Sequence, residues 1–469
     1  MDIIGRTEEI QEFKQILASD KSEFLTVYGR RRIGKTFLIR EHFKNQFSYY
    51  ITGLHKASKK QQIDNFYSIL LKNFTLKKSE KQATTWLGAF EHLQQYLAKP
   101  STKKKIVFLD ELPWLATAKS DFMLALNNFW NHWASARKDI VLIVCGSAAS
   151  WMIENVLQDK GGLHNRVTRR MRLLPFTLQE TELFLKKKKF NLVQYEIAKL
   201  YMCLGGIPFY LDLLDSSISI AQNIDKLFFT QKGVLRNEFN ELYKSLFKNA
   251  TKHIAVIKAL SQKAKGIGRL DIIKHSKLPN AGSTTRILEE LEESGFITKY
   301  QNFGKLKREA IYQLTDYFTL FHFKFIAKSS VLDKGFWLKK LESPAQYVWA
   351  GLTFELLCLQ HIENIKRKLE ILGIDTHSTV WSNKNAQIDL IIDRKDNVIN
   401  ICEIKFTKEP FNIDKKYFEN LQNKMAQLRS EITAEKSLQL VMITTYGLSQ
   451  SKYSSAIVQQ QVTLKDLFL

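Results

Sequence analysis

SEFLTVYGRRRIGKTFLIREHF, residues 22–43, divides into an apolar stretch from Phe24 to Tyr28, a turn rich in glycine and arginine, and an amphipathic run ending at Phe43. The first part has the length and composition of a buried strand, and the last has the apolar spacing of a helix. Between them Gly29, Gly34, Lys35 and Thr36 satisfy G-x-x-x-x-G-K-[ST], in the strand, loop and helix setting that the pattern requires. The physical logic is specific. Glycines let backbone amides curl around a phosphate, the helix N-terminus adds partial positive charge, Lys35 reaches the terminal phosphates, and Thr36 holds Mg2+. The expected binding set is Gly29, Arg30, Arg31, Arg32, Ile33, Gly34, Lys35, Thr36 and Phe37.

Outward from this loop, KKKIVFLDELPWL (103–115) is a second apolar strand that ends in Asp110 and Glu111. In such a site Asp110 would coordinate Mg2+ through water, and Glu111 would orient or deprotonate an attacking water. A third strand, DIVLIVCGSAAS (139–150), ends at Ser147, whose side chain could sense a terminal phosphate. Strands alternating with helices over the first 175 residues imply a parallel sheet with its ligand at the strand C-terminal ends.

The order of these features resembles that of AAA+ ATPases, in particular the archaeal-type ATPases also found in bacteria. Three further segments carry the resemblance. IIGRTEEI (3–10) looks like the family's adenine-side entry motif, with Gly5 and Arg6; HNRVTRRMRLLPFTLQE (164–180) holds Arg166; and GGIPFYL (205–211) resembles the lid-domain Gly-Gly-x-Pro turn, with Pro208. The resemblance implies ATP as the nucleotide, Mg2+ as its companion, and Arg166 as a candidate arginine finger or sensor. The alternative for Arg166 is a surface charge, like its neighbours Arg169 and Arg170.

From about Thr251, three helical patterns (HIAVIKALSQKA, RLDIIKHSKL and TTRILEELEESG) precede FITKYQNFGKLKREAIYQL, which alternates like a hairpin with a basic tip. That is the layout of a winged helix-turn-helix, with Gly295 capping the third helix. Ser283 to Arg286 and the tip residues Lys305, Lys307 and Arg308 suit a duplex, whereas Glu289, Glu290, Glu292 and Glu293 would repel one. A structural or protein-binding role therefore stays open. The aromatic run YFTLFHFKF (317–325) reads as core.

Near the end of the chain, QIDLIIDRKDNVINICEIKF (387–406) reads as two apolar strands around a polar turn, interrupted by Asp389, Glu403 and Lys405. Glu403 and Lys405 are two apart and project from one face. A turn near Lys395 and Asp396 would bring Asp389 opposite Cys402 or Glu403, a choice that a one-residue slip reverses. Two converging carboxylates could hold Mg2+ or Mn2+, with the lysine positioning a nucleophilic water. I-D-(13 residues)-E-I-K resembles the PD-(D/E)xK nuclease signature, with Ile388 where proline often stands. Glu355, in GLTFELLCLQHI, shares an apolar helical stripe with Leu352, Leu356 and Leu359, an awkward place for an acid without a partner. It is the candidate third acid. The alternative is an ordinary charged hairpin. His361 and His377 lack metal-ligand spacing and read as structural.

At 469 residues the chain is long enough for about three domains. The expected architecture is an α/β P-loop AAA+ parallel sheet (1–175) with a helical lid (176–247), a winged helix (248–328), and a small α/β restriction-endonuclease-like domain (345–469). Lysine and arginine outnumber the acids 70 to 47, a formal charge of +23, which favours a polyanionic partner, DNA ahead of RNA. Basic runs such as KKK at 103–105 read more readily as solvated faces than as binding sites. The scattered cysteines suggest buried thiols, and the absence of a signal or an apolar span leads to a cytoplasmic expectation without a membrane. Function follows as ATP hydrolysis controlling a metal-dependent nuclease-like domain. The rival is an ATP-dependent switch or interaction scaffold with an inactive C-terminal domain, and a threading motor is a weaker third. A homo-oligomer is left open.

Overall fold

The computed structural model describes residues 2–72, 74–76, 81–157, 165–247, 249–301, 303–304, 310–329, 335–432 and 435–469. Lys305, Lys307 and Arg308 lie outside them. Two compact units emerge: one runs to Leu174 and takes in Ser245–Lys248, and the other comprises Pro175–Lys244 and Asn249–Leu469.

The first unit opens with helix α1 (Thr7–Ala18), strand β1 (Glu23–Tyr28) and helix α2 (Lys35–His42). There follow β2 (Phe47–Thr52), α3 (Lys59–Leu70), α4 (Trp86–Leu97), β3 (Lys105–Asp110), β4 (Ile140–Gly146) and β5 (Arg169–Arg172). The five strands form one sheet in the order β2-β3-β4-β1-β5, every pairing parallel. Parallel strands covered by crossover helices lose both faces to the core, and β4 accordingly is buried at all seven positions. Phe24, Val107, Leu142 and Val144 pack with Trp86, Phe90, Phe122 and Trp130 in a single apolar cluster. The sheet's middle, β3-β4-β1, brings Asp110, Gly146 and Tyr28 to one edge, since parallel strands all end on the same side.

In the second unit the helix Gln194–Leu204 stops at Gly205, which takes φ +74 as its left-handed cap. Pro208 opens the next helix, Pro208–Asp212, at a position where its missing N–H costs nothing. Gly206 has φ +63, and a Cβ there would meet the Phe176 carbonyl oxygen at 2.4 Å. Helices Ala250–Leu260, Arg269–Ser276 and Gly282–Glu293 accompany a small sheet of β6 (Ile267–Gly268), β7 (Ile297–Tyr300) and β8 (Ile311–Leu314), ordered β6-β8-β7 and antiparallel throughout. Gly295, at φ +75, ends the last of these helices, and the Phe296 amide returns to the Leu291 carbonyl at 2.9 Å. The aromatic run forms a helix, Tyr317–Lys324, whose Tyr317, Phe318 and Phe321 are buried.

The C-terminal sheet is mixed. Strands β9 (Thr376–Ser382), β10 (Gln387–Arg394) and β11 (Val398–Lys405) form an antiparallel meander, and β12 (Ser437–Thr444) and β13 (Val458–Thr463) extend it in parallel. The order is β13-β12-β11-β10-β9, so β11 is central. Ile391, Ile401, Leu440 and Met442 pack with Leu421 and Leu428 of the helix Lys415–Glu431. No helix among the described residues is long and apolar enough to cross a membrane.

Candidate functional site

The loop after β1 is shaped by two glycines. Gly29 has φ +140, and a Cβ there would meet the Leu173 carbonyl oxygen at 2.4 Å and Ile33 at 2.9 Å, so no other residue fits. Gly34 has φ +87 and open space where a Cβ would point, and α2 starts from it with no side-chain cap. The first N–H groups of that helix therefore have no side-chain cap, the arrangement in which a helix start accepts an anion. Lys35 is buried, and its ammonium donates to the carbonyls of Gly29 and Arg30, each at 2.9 Å. Burial pulls its pKa down, opposed by the nearby Cys145, Glu111 and Asp110. Thr36 Oγ1 donates to Asp110 Oδ1 at 3.0 Å, and Thr52 Oγ1 to Oδ2 at 3.2 Å. Cys145 Sγ lies 3.0 Å from the same carboxylate.

Glu111, directly after β3, holds φ 49, a left-handed conformation. Its Oε2 accepts from the Ser147 amide at 3.3 Å and hydroxyl at 3.1 Å, and burial raises its pKa against the pull of Lys35. Arg6, buried, with φ 58, reaches the Ile33 carbonyl at 3.4 Å and Glu9 at 3.3 Å, which ties the N-terminal motif to the loop. Gly5 beside it has φ 62. Arg31 and Arg32 are half-buried and Phe37 is exposed. A phosphate chain with its Mg2+ suits this donor set: open helix amides, a buried ammonium, and a hydroxyl already paired with a carboxylate. Arg166 lies in an exposed turn before β5. Pro208 belongs to the second unit.

The second cluster is built on β10 and β11. Leu390 faces Cys402 and Ile391 faces Ile401, which resolves the open register and carries Asp389 toward Glu403. Asp389 is buried, its Oδ2 accepting the Ile404 amide at 3.2 Å. A register shift between Ile388 and Ile391 on the β9 side falls at this residue, and such bulges re-aim side chains. Glu403 is fully buried at 0% exposure and accepts from Tyr417 Oη at 3.1 Å and from the Lys424 ammonium; Lys405 stands 3.8 Å away. Burial and the Asp389 charge raise the Glu403 pKa, against Lys424 and Lys405.

Glu355, on the helix Pro344–Gln360, pairs with Lys265. That ammonium lies 3.3 Å from Glu355 Oε2 and 3.2 Å from Asp389 Oδ1. Burial and then the Asp389 charge push the Glu355 pKa up to about 7, with Lys265 opposing. Lys265 loses some charge preference to burial, but Asp389 and Glu355 outweigh this and its pKa is raised. The carboxylates are hard oxygen donors of the kind Mg2+ and Mn2+ prefer. Among the described residues, however, no group of three such side chains is gathered as a metal cage. Sequence reading missed Lys265, Lys424 and Tyr417, which come from segments with no local link to the strands. His361 has structural partners: its Nε2 accepts the Leu178 amide at 3.1 Å, leaving Nδ1–H for the Leu357 carbonyl at 2.9 Å.

The parallel sheet and its loop define a P-loop ATPase fold. Residues 3–214 match a family described as an ATPase domain predominantly from Archaea, so the chain carries an ATPase domain of the archaeal type. An uncharacterized protein of Methanocaldococcus jannaschii is 24% identical over 437 residues, 90% of this chain and 91% of that one. A Walker-type ATPase of Pyrococcus abyssi shares the fold with a TM-score of 0.51 at 17% identity, over 68% of this chain and 95% of that one. The ORC2 protein of Aeropyrum pernix, solved as ADPNP–ADP complexes, aligns over 73% of this chain and 96% of its own at 11% identity and a TM-score of 0.43.

Proposed function

We propose that this protein is an AAA+ ATPase whose nucleotide state controls a metal-dependent, nuclease-like site acting on DNA. The reading divides the chain into the ATPase core (1–175), lid (176–247), winged helix (248–328) and nuclease-like domain (345–469). The observation that carries the nucleotide part is the convergence of Lys35, Thr36, Asp110, Glu111 and Ser147 at one sheet edge.

When bound, Mg2+ supplies charge neutralisation at the terminal phosphates. Thr36 and Asp110 would hold it, and Lys35 would exchange its two carbonyl partners for phosphate oxygens. Glu111 has a raised pKa and a hydrogen bond from Ser147, which together keep a proton acceptor oriented beside the loop. Gly5, Arg6 and Pro208 are assigned to the nucleotide's adenine side and lid, and Arg166 to a transition-state or sensor role, in this chain or a neighbouring copy.

At the second site Asp389 and Glu403 would hold Mg2+ or Mn2+, with Glu355 as a third acid. Lys405, on the strand face of Glu403, would position the attacking water. The basic charge of the chain supports a nucleic-acid substrate. A second reading draws on Lys265 and Lys424: both ammoniums already neutralise the acids, as in a scaffold that retains the fold without cleavage.

The test is cleavage of linear and supercoiled DNA, and of RNA, with Mg2+ or Mn2+ and with or without ATP, in wild type, Lys35→Ala and Lys405→Ala. Cleavage lost in Lys405→Ala, and responsive to ATP only while Lys35 is present, is the expected result. ATP turnover that needs Lys35 without any cleavage would favour the scaffold.

A further inference from the structure

We infer that Lys265 is a built-in competitor of the divalent cation: its ammonium occupies the Asp389–Glu355 pair, and metal enters only when the loop that carries it withdraws. The inference rests on the nuclease-like reading of Asp389 and Glu403. The three carboxylates are each paired, in two neighbouring groups: Lys265 bridges Glu355 and Asp389, and Lys424 and Lys405 flank Glu403. A dication added beside paired carboxylates gains less than one added to bare carboxylates, because the attraction between each acid and its ammonium must be given up, or the ammonium's repulsion borne.

Lys265 is the member best suited to leave. Lys424 comes from the helix Lys415–Glu431 and is 15% exposed; Lys265 comes from a loop between the helix Ala250–Leu260 and β6, and is 42% exposed. The loop's position is built. Tyr300 Oη donates to the Lys265 carbonyl, and Gln313 Nε2 to the Ala264 carbonyl at 2.8 Å. Gly266 follows at φ +80, where a Cβ would meet the Tyr312 carbonyl oxygen at 2.6 Å. The three-stranded sheet thus sets where Lys265 stands. Beside it opens a cleft of about 200 Å3, lined by Lys265, Tyr300, Gln313, Glu355, Trp381 and Asp389, through which a cation can reach the acids. A rearrangement of the small sheet on binding a partner would move Lys265 and expose both carboxylates, which makes metal access the regulated step.

The test is Mn2+ binding to the full chain, read by electron paramagnetic resonance of free Mn2+, in wild type, Lys265→Ala and Lys265→Ala/Asp389→Asn. Removal of one ammonium from two carboxylates should tighten binding about tenfold or more, and the added Asp389→Asn should abolish the gain. In wild type, where folding is not at issue, Mn2+ should raise the acylation rate of Lys265, read by mass spectrometry of labelled peptides. Mn2+ binding that needs Asp389 but neither tightens in Lys265→Ala nor changes Lys265 labelling overturns the competitor and leaves the metal site standing. No Asp389-dependent Mn2+ binding in any variant overturns both.

Discussion

Glu403 has no exposed surface, yet its carboxylate sits on the central strand of the C-terminal sheet, and Tyr417, Lys424 and Lys405 are what make that tolerable. A buried charge stripped of its partner costs far more than the pair contributes, whereas an exposed pair contributes almost nothing. Lys424→Ala should therefore destabilise the protein by about 2–4 kcal/mol, since Glu403 keeps only a neutral hydroxyl and a lysine at 3.8 Å. Lys60→Ala removes an ion pair with Asp64 that is 88% and 55% exposed, and should cost less than about 0.5 kcal/mol. Urea unfolding of both variants checks the contrast; equal effects would mean that Glu403 is neutral or solvated. These partners also mark the limit of reading residues in a line. Gly29 to Thr36 is legible because the residues of its pattern are adjacent in the chain. Lys424 is 21 residues from Glu403, and Lys265 is 124 from Asp389, separations at which no local spacing speaks.

At the scale of elements, legibility follows how strongly an element's own residues commit it. β4 is apolar along its length and β3 is apolar between Lys105 and Asp110, so both can be read directly; β10 and β11 carry the same signal with polar interruptions. β2 (FSYYIT) and β5 (RRMR) give no comparable signal, because edge strands need bury only part of themselves and three of the four β5 residues are arginine. The helix Tyr317–Lys324 reads as core from its aromatic run, and one of its rings belongs to a titratable residue. His322 stacks on Phe239 at 4.1 Å with its ring nearly coplanar, its Nδ1 is buried without a hydrogen-bond partner, and burial lowers its pKa to about 4. Above the ordinary value of 6.5 the ring is neutral in both states and adds no pH dependence. As pH falls from 6.5 to about 4 the unfolded chain takes up a proton that the folded one refuses, so stability declines across that window and levels off below it. The loss approaches about 3 kcal/mol at the lower end. His322→Phe should keep the stacking and remove the dependence, so the wild-type minus variant difference in unfolding free energy should slope between pH 6.5 and 4. A flat difference would place the ring in solvent.

For the whole molecule, two features set what can be measured: a charge of +23 and a division into two compact units. The charge predicts that any DNA complex weakens steeply with salt, by counterion release, with affinity falling roughly 10³-fold or more between 50 and 200 mM if six or more phosphates are contacted. A fluorescence-anisotropy titration with a shallow slope would exclude a phosphate-tracking surface. The division bears on control. A ligand that binds one folded unit stabilises that unit by mass action, about 2.7 kcal/mol at a hundred times its dissociation constant, and leaves an independent unit where it was. Calorimetry of the full chain should therefore resolve whether nucleotide state reaches the second unit at all. With ATP and Mg2+ the transition of the P-loop unit should move up, and Lys35→Ala should cancel the shift. Nucleotide control of the second site requires its transition to move as well, by the coupling free energy between the units, typically about 1–3 kcal/mol. If only the first transition moves, ATP turnover and the carboxylate–lysine cluster are thermodynamically separate, and control would have to come through a partner that contacts both.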